Sequence, residues 1–255
     1  MKFKNTSLDK LANKHNRLLV FDCEFWHVLG SSGYIPTHTA HKEFLMPREV
    51  GGFVLDKSGD TWTLKGKFFV TLSPPKGKEV SFVSSAFATV TKKTADELDL
   101  FQNLLQSPWH ASFESTLSDE IKPFLKAGIR AYQEDSTVKK AHKPSSWLKT
   151  FIKLYSESLI IVKGPSDIEA LQNACKFHKI EYKKPLAVYD IADWNPTSHK
   201  ICGSAKLEKT YECIHPKLND ENKHLDKLLP KGEAHDPTVD ASMTLIIAVY
   251  IHQHK

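Results

Sequence analysis

The run Leu18-Leu19-Val20-Phe21-Asp22-Cys23-Glu24-Phe25 sets two carboxylates, two residues apart, inside an otherwise apolar, strand-like segment. A strand repeats every two residues, so Asp22 and Glu24 point to one face. Like charges buried together are costly unless something compensates them, and a divalent cation does so well. The pair therefore points to a Mg²⁺ or Mn²⁺ site on a central strand. The plainer alternative is a surface strand whose solvated face is acidic.

The rest of the composition excludes little. The chain has 255 residues, 40% of them hydrophobic and 25% charged, enough for one large domain or two small ones. Lys and Arg exceed Asp and Glu by 35 to 30, a net charge of +5 that suits a polyanionic partner without requiring one. No stretch is apolar enough to span a bilayer, and Met1-Lys2-Phe3-Lys4-Asn5-Thr6 lacks the apolar core of a signal peptide. Cys23, Cys175, Cys202 and Cys213 are few and widely spaced, so no disulfide framework is expected. The reading is of an intracellular, reduced protein without membrane association, cytoplasmic rather than nuclear.

The strand signals fall on Leu18–Phe25, Glu49–Asp56, Lys67–Leu72, Leu159–Val162 and Leu186–Ile191. The first three follow one another with strand-terminating turns and suggest an antiparallel meander. The fourth is a continuous apolar run of the kind buried in parallel sheets. Residues 1–16 read as a polar, Lys-rich lead-in. Residues 76–144 read as an insertion or helical cover, with helical spacing over Glu97–Leu105 and Glu120–Tyr132 and a polar loop from Gln133. A helix follows Ser145 or Ser146. Another opens at Ser166, whose hydroxyl with Glu169 has the form of a capping box. Residues 195–234 are polar, with weak helical pieces. Asp236-Pro237 starts a strongly apolar helix through Met243, Leu245, Ile246, Ile247, Val249 and Ile251. The expected fold is α/β, a mixed five-stranded sheet with helices on both faces, in one domain over 1–255.

Asp167 lies in the first helical turn after a buried strand, where ligands gather in open α/β sheets and where an acid also simply favours the helix dipole. Asp240 is an acid in an apolar helix, and His235 stands five residues before it. Together, Phe21-Asp22-Cys23-Glu24, the segment from Val162 to Leu171 carrying Asp167, and His235 with Asp240 resemble the three motifs of the DEDDh (DnaQ-like) 3′→5′ exonucleases, which have a ribonuclease-H-like fold. Pro47-Arg48-Glu49-Val50-Gly51 is similar to the family's second-strand entry. The resemblance covers about residues 17–72 and 146–253. Two places depart from it: Lys163-Gly164 stands where the family often has His and Asn, and Phe25-Trp26-His27 stands where it has a small or hydroxyl residue.

The resemblance implies hydrolysis of DNA or RNA from single-stranded 3′ ends, releasing nucleoside 5′-monophosphates. It implies two divalent ions, Mg²⁺ or Mn²⁺, held by Asp22, Glu24, Asp167 and Asp240, with Asp22 shared between them and His235 as general base. Phe25 and Trp26 are candidates to stack on the terminal base, or else core residues. The alternatives are a catalytically silent nucleic-acid-binding scaffold, an endonuclease, or a polymerase-associated proofreading subunit whose protein partner docks on residues 76–144. His199-x-x-Cys202 with Cys213-x-His215 offers ligands for a structural zinc, or two small core cysteines with unrelated histidines. Asp190 and Asp193 read as structural acids at a strand end.

Overall fold

The strand that carries the acid pair is the middle of the sheet. β2 (Arg17–Val28) has β3 (Leu45–Ser58) antiparallel on one side and β6 (Leu159–Val162) parallel on the other. The structure is a computed structural model, and it describes residues 2–28, 45–72, 80–81, 143–232 and 236–253. Among these, the strands form one mixed sheet in the order β1-β4-β3-β2-β6-β7. The outer members are β1 (Lys2–Phe3), β4 (Thr61–Thr71) and β7 (Ala187–Asp190), while β5 (Val80–Ser81) pairs antiparallel with the end of β2. The five strands expected from the sequence are all present, and β1 and β5 are additional. β4 begins at Thr61, well ahead of Lys67: its first half, Thr61-Trp62-Thr63-Leu64, pairs with β3 and alternates, with Trp62 buried and Leu64 packed on the core.

Seven α-helices accompany the sheet among the described residues: α1 (Thr6–Ala12), α2 (Pro144–Ser156), α3 (Ser166–Phe177), α4 (Asn195–Cys202), α5 (Leu207–Ile214), α6 (Asp220–Leu228) and α7 (Pro237–Gln253). Strand alternation sorts them into two layers. Leu18 and Val20 of β2, Leu159 and Ile161 of β6, and Phe53 and Leu55 of β3 pack with α7, α1 and α6. Leu19, Phe21 and Cys23, with Ile160 and Val162, pack on the opposite face against Leu148, Phe151 and Tyr155 of α2 and Leu171 and Ala174 of α3. α7 is buried almost all round, which explains why its sequence has no polar stripe.

Three local expectations are corrected. Residues 1–16 are not a lead-in: Leu8, Leu11 and Ala12 of α1 are buried, and the Asn5 side chain both accepts from the Leu8 N–H and donates to Asn222 Oδ1. The α3 N-cap is Pro165, with no side-chain cap, and Ser166 is already helical. Gly164, at φ 88°, turns the chain so sharply that Pro165 enters the helical region one residue early. The helical pieces read as weak in residues 195–234 are three formed helices, α4, α5 and α6. Asp236 does cap α7, its Oδ1 accepting from the Thr238 N–H at 2.8 Å.

Cys202 and Cys213 form a disulfide between α4 and α5, with Cα atoms 5.7 Å apart. The hairpin brings the two sulfurs together, a distance across two helices that spacing along the chain does not reveal. Each sulfur is bonded to the other, so the pair cannot serve as zinc thiolates, and His215 is engaged by Asp226 at 3.1 Å. The expectation of a wholly reduced chain fails at this pair. Cys23 and Cys175 are free and buried. No helix of the described residues is long and apolar enough to cross a membrane. The expected insertion at 76–144, with its helices over Glu97–Leu105 and Glu120–Tyr132, lies outside the described residues apart from 80–81 and 143–144.

Candidate functional site

Asp22 and Glu24 leave β2 on the face covered by α7, and one glycine, Gly51, decides how close that helix comes. Asp22 is paired with Gly51 across the β2–β3 ladder. A Cβ on Gly51 would lie 2.5 Å from the Thr238 backbone nitrogen and 2.8 Å from the Pro237 carbonyl carbon. Glycine thus lets the first turn of α7 rest directly on β3, and Asp240 follows within that turn. The result is that carboxylate oxygens of Asp22, Glu24 and Asp240 all lie within 4.8 Å of one another.

Asp167 arrives from the other face. Its helix, α3, starts immediately after the β6 turn, and its buried Oδ1 accepts a hydrogen bond from the Cys23 N–H at 2.9 Å. Asp167 therefore grips the backbone between the two β2 acids. The structure brings together Asp22, Glu24, Asp167 and Asp240 from three separate stretches of chain. His235 lies outside the described residues, one position before the Asp236 cap.

The electrostatics are those of a crowded anionic site. Burial pushes the Asp22 carboxyl well above its ordinary range, and Asp167, Asp240 and Glu24 push it further in the same direction. Burial raises Glu24 to about 7, with Arg48 opposing and Glu49 and Asp240 reinforcing. Asp167 also rises to about 7, chiefly through burial, against the hydrogen bonds from Cys23. Such a group of hard oxygen donors is matched chemically to Mg²⁺ or Mn²⁺ rather than to a soft metal. A site that leaves acids half-protonated near neutrality becomes favourable when cationic charge enters it. The donor set fits the divalent ions expected from the sequence.

Two basic groups border the acids. Arg48 forms an ion pair with Glu49 at 3.1 Å. It occupies a β-bulge, because Glu24 pairs with Glu49 whereas Phe25 pairs with Pro47. Lys163, noted in the sequence only as a departure, borders the cluster on the β6 side and donates from Nζ to the Ala205 carbonyl at 2.6 Å. Asp190 is structural, as read: its Oδ1 accepts from the Gly164 and Ala192 N–H groups at 2.7 and 2.8 Å. Phe25 is half-buried and packs against the α2–α3 core, on the face opposite the acids. The side chain of Trp26 lies outside the described residues. The closeness of α7 to β3 had a sequence signal, Gly51 inside a strand, whose use is to admit another backbone.

No protein-family model and no curated protein sequence matches the chain.

Proposed function

We propose that the protein is a metal-dependent 3′→5′ exonuclease on a ribonuclease-H-like fold, releasing nucleoside 5′-monophosphates from single-stranded DNA or RNA. One observation carries the reading: carboxylates from three separate stretches of chain converge at one end of the central strand of a mixed sheet, Asp22, Glu24 and Asp240 within 4.8 Å of one another and Asp167 on the Cys23 N–H between the strand's two acids. The element order also supports it, with three antiparallel strands, then β6-α3-β7, then α7 over the acid-bearing face.

Asp22, Glu24, Asp167 and Asp240 would hold the divalent ions. Those ions, when bound, would supply charge to a phosphoryl oxygen and acidify a water. The water oxygen bonds to phosphorus as the P–O3′ bond to the penultimate nucleotide breaks. His235 is assigned the water's proton, and the departing 3′ oxygen takes one from solvent. Asp167, through Cys23, fixes the spacing between Asp22 and Glu24. A group that moves a proton in this way contributes about 10²–10⁴-fold in rate.

The test is a 5′-labelled single strand, as matched DNA and RNA, incubated with Mn²⁺ with and without chelator. The expected result is stepwise shortening from the 3′ end, stopped by chelator and absent in Asp22→Ala. Internal cuts would make the protein an endonuclease, and retention of an uncut strand would make it a binding scaffold. A fully active Asp22→Ala protein would refute the assignment.

A further inference from the structure

We propose that a basic groove at the far end of the sheet from the acids is a second nucleic-acid site, which holds the phosphate backbone of a strand whose 3′ end is at the acid cluster. The choice of nucleic acid as ligand rests on the nuclease reading, whereas the groove itself follows from the strand registers. Arg17 of β2 pairs with Asp56 of β3, Asp56 with Thr63 of β4, and Thr63 with Lys2 of β1. Residues opposite one another across a ladder share a face, so these residues form one row across four strands. Arg17 has the alternation of Leu19 and Phe21, which pack on α2. The row therefore lies on the α2 face, beyond the end of that helix, whereas Asp22 leaves β2 on the other face. Lys65 joins at a bulge in β4, where Leu55 pairs with Leu64 but Val54 with Gly66. Along β2, Arg17 is about 17 Å from Asp22 by strand rise.

The row opens into a groove of about 610 Å³ that Lys14 and Lys57 also line, within the size range of ligand-binding clefts. The two acids in its lining, Asp56 and Glu157, both pair with Arg17, at 2.8 and 3.3 Å, and Lys57 is held by Asp9 at 2.6 Å. Lys2, Lys14 and Lys65 are exposed and have no acidic partner among the described residues. Three ammonium groups thus stand uncompensated around one hollow, and a cleft lined by one sign of charge concentrates its field. Asn16, Ser58 and Thr63 add neutral donors to the same lining. Ammonium groups with amide and hydroxyl donors are the set that contacts phosphate oxygens without reading bases. A strand held here as well as at the acids is bound at two points, which raises the effective concentration of its 3′ end at the site. Long strands gain from this, and a dinucleotide, which cannot reach both places, does not.

The experiment measures binding of a labelled single strand of about 20 nucleotides by fluorescence anisotropy, in chelator so that nothing is cut. Full-length wild type is compared with Lys2→Gln/Lys14→Gln/Lys65→Gln and with Lys2→Arg/Lys14→Arg/Lys65→Arg. Losing three phosphate contacts should flatten the salt dependence, so that wild-type affinity falls about twentyfold more than that of the glutamine variant between about 50 and about 200 mM salt. Lys14→Gln/Lys65→Gln, which leaves β1 intact, should show about a sevenfold difference and serves if the triple variant does not fold. The arginine variant should stay near wild type. With Mn²⁺ present, kcat/KM should fall in the glutamine variants for the long strand and be unchanged for a dinucleotide. Equal affinity and equal salt dependence in wild type and glutamine variants would overturn the proposal. So would displacement of the strand by inorganic phosphate or polyglutamate at the same concentration of charge, which would make the groove a free-anion site or an acidic-protein surface. A wild type that cleaves, beside glutamine variants that bind the long strand equally well, would sink this inference alone. Strand binding that is lost with the lysines, in a protein that cleaves nothing, would sink the nuclease reading and leave the groove standing.

Discussion

Asp22 is stabilising for the proposed reaction and destabilising for the fold. It is surrounded by Asp167, Asp240 and Glu24, and burial with those neighbours raises its pKa well above the usual value. At neutral pH the cation-free protein must keep it protonated or bear the repulsion, and either costs free energy. Asn is nearly isosteric and carries no charge. Asp22→Asn should therefore unfold later than wild type without divalent ions, by about 1 kcal/mol in urea denaturation, while hydrolysis falls to background. A variant that lost both stability and activity would mean that Asp22 is a folding residue. His235→Ala should slow hydrolysis by about 10²–10⁴-fold with Mn²⁺ affinity retained, because an imidazole assigned only a proton does not hold the ion. Equal losses in rate and Mn²⁺ binding would place His235 among the ligands.

At the scale of elements, the site depends on how α7 seats on β3. A methyl on Gly51 meets backbone atoms of Pro237 and Thr238 as well as the Thr238 hydroxyl, so the helix must move. Gly51→Ala should cost about 1–3 kcal/mol in stability and weaken Mn²⁺ binding, because Asp240 rides on the displaced turn. Gly52→Ala should be worse, since its Cβ would stand 2.2 Å from the Val20 carbonyl oxygen, inside the ladder of the central strand. Unchanged Mn²⁺ affinity in a folded Gly51→Ala protein would show that helix seating does not set the site. The elements that were legible in the sequence are those whose signal is local. β2 announces itself by a short apolar run that carries two acids two residues apart, and α7 by Asp236-Pro237, whose capping bond forms whatever the helix packs on. The acids followed because they sit on those elements. What stayed hidden depends on partners far away in sequence. α1 is a short helix whose burial comes from α7 and α6, and the Cys202–Cys213 bond needs α4 and α5 folded back on each other. The α3 cap was misread because Ser166 and Glu169 satisfy a spacing rule, whereas Gly164 fixes the actual entry to the helix.

For the whole molecule, the acid cluster makes stability depend on pH in a direction opposite to ordinary acid denaturation. Glu24 rises from 4.5 and Asp167 from 3.8, both to about 7. Well below the ordinary values of 3.8 and 4.5, both groups are protonated in the folded and unfolded chains alike, and they contribute no difference. Between about pH 4 and pH 7 the unfolded chain releases protons that the folded chain keeps. The unfolded state then binds fewer protons, so this contribution to stability falls as pH rises and levels off above about pH 7. A divalent ion reverses the sign, because it favours the ionised carboxylates and must displace their protons to bind. Mn²⁺ should accordingly raise Tm more at pH 8 than at pH 5.5, and calorimetry in two buffers of different ionisation enthalpy should register proton release at pH 6.5 that fades by pH 8.5. Asp167→Asn should lessen both effects, since Asp167 supplies one of the displaced protons. A Mn²⁺-induced shift independent of pH would mean that the ion binds away from these carboxylates, because no other site among the described residues gathers acids whose protons an ion must displace in that range.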